Sequence, residues 1–274
     1  MPVIATNTSA NTALIYLNKN SSDQSKSLAK LSSGSRIVVA SDDAAGLAVG
    51  TKLQADVTVL KQAGVNAVQA RSVLQTVDGA LSRVGDILQR MKSLAAQANS
   101  GSVDATSRGF INTEYQQLNT EIQSIATSTK FNNAPIVDGS YNQNFQVGIA
   151  ATDIIAVNLT TINVSTGATG LNISSTNVST AALATTAQTA LDTALNTIST
   201  DRATVGALLS RFEYRGDVIN SSVENLTAAQ STIMDVDIAA EQSNLVSKQV
   251  LTEASIAALS QANQMKSSLL SLVR

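Results

Sequence analysis

Neither histidine nor cysteine occurs among the 274 residues, tryptophan is also missing, and proline is confined to Pro2 and Pro135. Without histidine there is no imidazole acid or base, and without either residue there is no His/Cys zinc site, thiol nucleophile or disulfide framework. So few prolines leave a helix free to run through almost any other stretch. With only four Phe and four Tyr, the 43% hydrophobic content is almost wholly aliphatic, and it suffices for the core of one or two domains. A net charge of −2 offers no basic surplus for neutralising phosphates, which argues against a nucleic-acid partner. No run of eighteen apolar residues is present, so no membrane span is expected. Residues 1–20 lack a basic region followed by an apolar one, so no secretory signal is read there; that alone points to the cytoplasm.

What is abundant is heptad periodicity. Ala70, Val73, Val77, Ala80, Val84, Ile87, Met91, Leu94 and Ala98 alternate at spacings of three and four. A flanking row, Ala67, Leu74, Leu81, Leu88 and Ala95, widens the stripe to that of a helix packed inside a bundle. A helix from Leu53 to Ala98 would be on the order of 70 Å long and needs partners to cover it. Asp42 or Asp43 is its expected cap, Asn99-Ser100-Gly101 its end, and Asp104 the next cap. Ile111, Tyr115, Leu118, Ile122 and Ile125 mark a second amphipathic helix.

Between Phe131 and Thr180 the pattern lapses into turn signals and short apolar runs, read as a small β and loop excursion with a hairpin or two. Helical period returns through Ala187, Leu191, Ala194, Ile198, Val205, Leu208, Phe212, Ile219 and Leu226, with Asp201 and Arg215 at two seam positions. The ends carry weaker seams. Val3, Asn7, Ala10, Leu14, Leu17, Ser21, Gln24, Leu28 and Leu31 lie in one, and Val246, Val250, Ala254, Ala258, Ala262, Met265 and Leu269 in the other. Rich in Ser, Thr and Asn, such segments are marginal as isolated helices. The plan is a mainly α fold: a long antiparallel helical bundle or coiled-coil rod with a small β-hairpin-containing outer portion. Residues 1–44 and 230–274 are read as a terminal helical domain that folds on assembly. Residues 45–130 and 181–229 are read as the bundle, and 131–180 as the excursion.

Leu31-Ser32-Ser33-Gly34-Ser35-Arg36-Ile37 followed by Ser41-Asp42-Asp43-Ala44-Ala45-Gly46-Leu47-Ala48 resembles the N-terminal signature of bacterial flagellins. Asp235-Val236-Asp237-Ile238-Ala239-Ala240-Glu241, Gln261-Ala262-Asn263-Gln264 and Leu269-Leu270-Ser271-Leu272-Val273-Arg274 resemble the flagellin C-terminus. Ile238 stands where the family usually has Tyr, and Lys266-Ser267 where it has Pro-Gln. The resemblance spans roughly residues 1–130 and 185–274, and the short centre implies a form without large outer domains.

The resemblance implies a structural, non-enzymatic subunit that self-assembles into the helical filament of the bacterial flagellum. It also implies export through the flagellum's own type III channel to an extracellular location, which reverses the cytoplasmic reading. No cofactor or metal is expected. The partners implied are neighbouring copies, an export chaperone, the filament cap and junction proteins. A hook–filament junction protein, or another exported filament or tip protein, is the alternative. Leu14, Leu17, Leu28, Leu31, Val246, Val250, Ala258, Ala262, Met265 and Leu269 are read as assembly seams. Gln89, Arg90, Leu94 and Glu114 resemble the flagellin patch that faces an innate-immune Toll-like receptor. Leu94 also falls on the apolar seam, so a core reading competes for it.

Overall fold

The computed structural model describes residues 6–272, with only the backbone described for 269–272. Five helices, α1 (Thr8–Ser33), α2 (Ala44–Asn99), α3 (Ala105–Ser128), α4 (Ala181–Met234) and α5 (Ile238–Leu272), account for most of the described chain. Four short strands, β1 (Lys130–Phe131), β2 (Ala134–Pro135), β3 (Asn142–Gln146) and β4 (Ile154–Asn158), lie between α3 and α4. The chain divides into two compact units: Val57–Glu224 forms one, and the residues before and after it form the other.

In the central unit α2 and α4 run antiparallel, as two ion pairs across them show: Lys92 with Asp192, and Arg202 Nε with Asp78 at 3.0 Å. The seam of α2 is buried throughout except for a half-buried Ile87, and Leu74, Leu81, Leu88 and Ala95 of the flanking row are fully enclosed. On α4, Ala184, Ala187, Leu191, Ala194, Ile198, Asp201, Val205, Phe212 and Ile219 are buried. Their spacings of three, four or seven place them on one stripe. Leu208 and Leu226 are only half-buried. From α3, Ile111, Tyr115, Asn119, Ile122 and Ala126 are buried, whereas Leu118 and Ile125 lie at the margin. As expected, the Asp104 side chain caps α3, accepting from Ser107 N at 3.1 Å.

The strands form two antiparallel hairpins. Asn132 and Asn133, both at positive φ, make the two-residue turn between β1 and β2. Asn tolerates that backbone, and the resulting primed turn matches the twist of the strands. In β4 alternate residues Ile155 and Val157 are buried, as the period of a half-covered strand requires. The Ser/Thr-rich stretch that follows is a working part of the core. Leu159, Ile162, Val164, Leu171, Ile173 and Val178 are all buried. Polar bonds fasten it along α3: Asn119 Nδ2 donates to Ile173 O at 3.0 Å, Gln116 Nε2 to Thr176 O at 2.9 Å, and Val178 N to Asn112 Oδ1 at 2.9 Å.

The other unit holds α1 and α5, the start of α2 and the end of α4. The Asp43 side chain accepts from Gly46 N at 2.8 Å and begins α2, so the long helix starts at Ala44. Its neighbour Asp42 instead binds the backbone N–H groups of Val38 and Val39, each at 3.2 Å, and closes the connecting turn. Those bonds, that of Val39 first, with Lys30 and Lys26 nearby, hold the Asp42 carboxyl below its usual range. Gly34, at φ 70°, ends α1 in a left-handed cap that a side chain would strain. Ser35 bridges Asp235 across this junction, where Val236 N donates to Gly34 O at 3.1 Å.

Candidate assembly surface

The pairing of α1 with α5 reverses the usual distribution of side chains. The helices are antiparallel and held by polar contacts. Asn7 Nδ2 donates to Ala262 O at 3.0 Å, Asn20 Nδ2 to Ser255 Oγ at 3.2 Å, and Lys248 Nζ to Asp23 Oδ2 at 3.2 Å. Gln24 meets Thr252 in the same interface. Within α1 the one buried residue is Ser27, and on α5 only Leu245 and Ala262 are buried among the described residues. Small and polar side chains let two backbones approach closely while satisfying one another's bonds. Such contacts bury little aliphatic surface.

Most of the large apolar residues lie outside. Leu14, Ile15, Tyr16 and Leu28 of α1 are 44–60% exposed, and Val246, Val250, Leu251, Ile256 and Met265 of α5 are 44–58% exposed. Of the predicted seam residues, therefore, Leu14, Leu28, Val246, Val250, Ala258 and Met265 are exposed and Leu17 and Leu31 half-buried, while Ala262 is buried between the helices. The side chain of Leu269, like Val3, lies outside the described residues. Val246, Val250, Ala258 and Met265 do not face α1. The inward rows run instead through Ala13, Asn20 and Ser27 on one helix and Lys248, Ser255 and Ala262 on the other. Each repeats at seven, a signal present in the sequence but hidden because it is written in small and polar residues.

On the central unit, Arg90 donates from Nε and Nη2 to Glu114 Oε1 at 2.9 and 2.6 Å, with both side chains about half exposed. Gln89 is exposed beside them. Leu94 is not part of this surface: at 2% exposure it belongs to the core. The reason is its place on the 3–4 seam, one turn on from Arg90 but on the buried stripe of α2. Among the described residues no cluster of His, Cys, Asp or Glu could hold a metal ion, and no helix is long and apolar enough to cross a membrane.

The chain matches the bacterial flagellin N-terminal helical region over residues 4–142 and the C-terminal helical region over residues 188–273. It is 37% identical to the flagellin of Bacillus subtilis strain 168, covering 98% of each chain. It is 33% identical to the flagellar filament 33 kDa core protein of Treponema phagedenis, covering 99% of this chain and all of that one. The crystal structure of Bacillus cereus flagellin superposes with a TM-score of 0.50 at 31% identity, covering 61% of this chain and 94% of the other. Two end matches in order, near-complete coverage and a helical pair with its aliphatic face turned outward agree: the chain belongs to the bacterial flagellins, a structural family that polymerises into the extracellular filament of the flagellum, and it is a subunit of that filament.

Proposed function

We propose that the outward aliphatic faces of α1 and α5 are the surfaces through which neighbouring copies join. The observation that carries this reading is the inversion just described, with Leu28, Val246, Val250 and Met265 exposed around a polar interface. Burying apolar surface yields about 25 cal/mol per Å², so covering two such helices supplies a gain that the isolated pair forgoes. Residues 1–44 and 230–274 act as the assembly domain and complete their ordering there, because backbone ordering costs roughly 1–2 kcal/mol per residue. Residues 45–130 and 181–229 form the supporting bundle, with 131–180 folded onto it. The role is purely structural, with no catalytic step. Export runs unfolded through the flagellar type III channel, and a chaperone, the filament cap and the junction proteins are the transient partners. Removal of residues 255–274 should leave a soluble, folded central unit that forms no filaments by electron microscopy. Regular filaments from the truncated chain would overturn the assignment.

A second surface supports a recognition role. Gln89 lies beside the Arg90–Glu114 ion pair, in which two guanidinium N–H groups converge on Glu114 Oε1 on the exposed side of α2 and α3, and this patch faces an innate-immune Toll-like receptor when the subunit is free. Arg is a frequent hot-spot residue, and a loss of 1.4 kcal/mol is about tenfold in affinity. Arg90→Asp should therefore weaken activation of receptor-bearing reporter cells at least about tenfold while the melting temperature stays put. Unchanged signalling by the folded variant would remove the patch.

A further inference from the structure

One residue of the α4 seam breaks the rule of its neighbours. Asp201 occupies the position between Ile198 and Val205 in the 3–4 repeat, and it is 6% exposed. Its register is fixed on both sides: Ile198 lies against Gly85 of α2, and Arg202 reaches Asp78 of the same helix. The surrounding seam is aliphatic, with Val77, Leu81, Val84 and Leu88 of α2 and Ile122 of α3 all at 0% exposure. Among the described residues nothing hydrogen-bonds Asp201 Oδ2. An ionised carboxylate in such a place costs free energy that the neutral acid does not.

We propose that Asp201 is a pH-sensitive clamp on the middle of the central unit, loosening the helix seam when ionised and tightening it when protonated. The charged groups nearest in register do not neutralise it. Arg202 is engaged with Asp78, Arg83 and Asp86 of α2 pair with each other at 3.7 Å on the surface, and Glu121 of α3 is exposed. Burial alone raises the Asp201 carboxyl to about 6 from an ordinary 3.8. The folded chain thus holds a proton that the unfolded chain has released between those two values. Stability attached to this group is complete below the lower value and is lost as pH rises through about 6. This device acts within one copy and does not depend on how the termini assemble.

The test compares urea unfolding of the full-length monomer, parent against Asp201→Asn, at pH 7.5 and pH 5. Because other carboxylates titrate in both proteins, the ratio of their folding constants is the quantity read. It should shift about tenfold in favour of the parent between the two pH values. Should the amide leave its own unsatisfied group and fail to fold, Asp201→Leu serves in its place with the same expected ratio change. Carboxyl carbon NMR of the folded parent supplies an independent reading, with the Asp201 midpoint expected near pH 6. A pH-independent ratio, or a midpoint near 4, would overturn the proposal.

Discussion

The central unit and the α1–α5 pair use the same heptad arithmetic for opposite ends. In the first, Leu74, Leu81, Leu88 and Met91 of α2 and Leu191 and Phe212 of α4 are sealed inside, while the Thr and Ser side chains of α4 lie on the surface. Many of those hydroxyls bond back to the carbonyl four residues earlier, as Thr193, Thr197 and Thr204 do. In the second, Ser27, Asn20, Gln24 and Thr252 face inward, and most of the large aliphatics, Leu245 excepted, face solvent or lie at the margin. A helix stripe therefore says which residues share a face; what covers that face is a separate matter. The central unit covers its own. The terminal pair leaves its stripe uncovered, and the proposed function assigns that stripe to neighbouring copies.

The largest expected effect separates the two stripes directly. Leu81→Asp puts a carboxylate at a position with no exposure. Lost packing and uncompensated desolvation should together cost about 3–5 kcal/mol and lower the melting temperature sharply. Leu28→Asp, at 59% exposure, should change monomer stability by less than about 0.5 kcal/mol, yet stop filament growth. Monomer melting by calorimetry and filament counts by electron microscopy read the two arms. If both variants melt alike, the contrast between sealed and outward stripes fails.

Much of this was legible in the sequence because aliphatic heptads report both a helix and its buried face. The α2 seam, the Asp104 cap and the end of α2 at Asn99 could be read directly. The hairpin β3–β4 falls where short apolar runs place it. Two things could not be read. The burial of Leu159, Ile162, Val164, Leu171 and Ile173 depends on side-chain bonds to α3 that no local period encodes. And the facing of α1 and α5 follows rows of small and polar residues, which carry no hydropathy signal. Arg90 and Glu114 form an exposed ion pair, whereas Leu94 follows the buried stripe of its helix.

The smallest expected effect sharpens the contrast from its polar side. Lys248 and Asp23 form an ion pair inside the α1–α5 interface, with each side chain about one-third exposed. Water still screens such a pair, and holding a long Lys chain in one geometry costs entropy, so the coupling should be below about 1 kcal/mol. A double-mutant cycle of Lys248→Met and Asp23→Leu measures it, with helix content of the paired termini as the readout. The methionine and leucine retain apolar bulk, so the double variant should keep about the parent's stability, while each single variant strands one charge. Raising salt to about 1 M shortens the screening length to about 3 Å, and it should weaken the parent pair slightly while strengthening apolar association of the outer faces. Filament assembly should therefore survive both the double substitution and high salt. A coupling above about 2 kcal/mol, or filaments that dissolve in salt, would move the driving force from the outward aliphatic stripe to the polar seam within it.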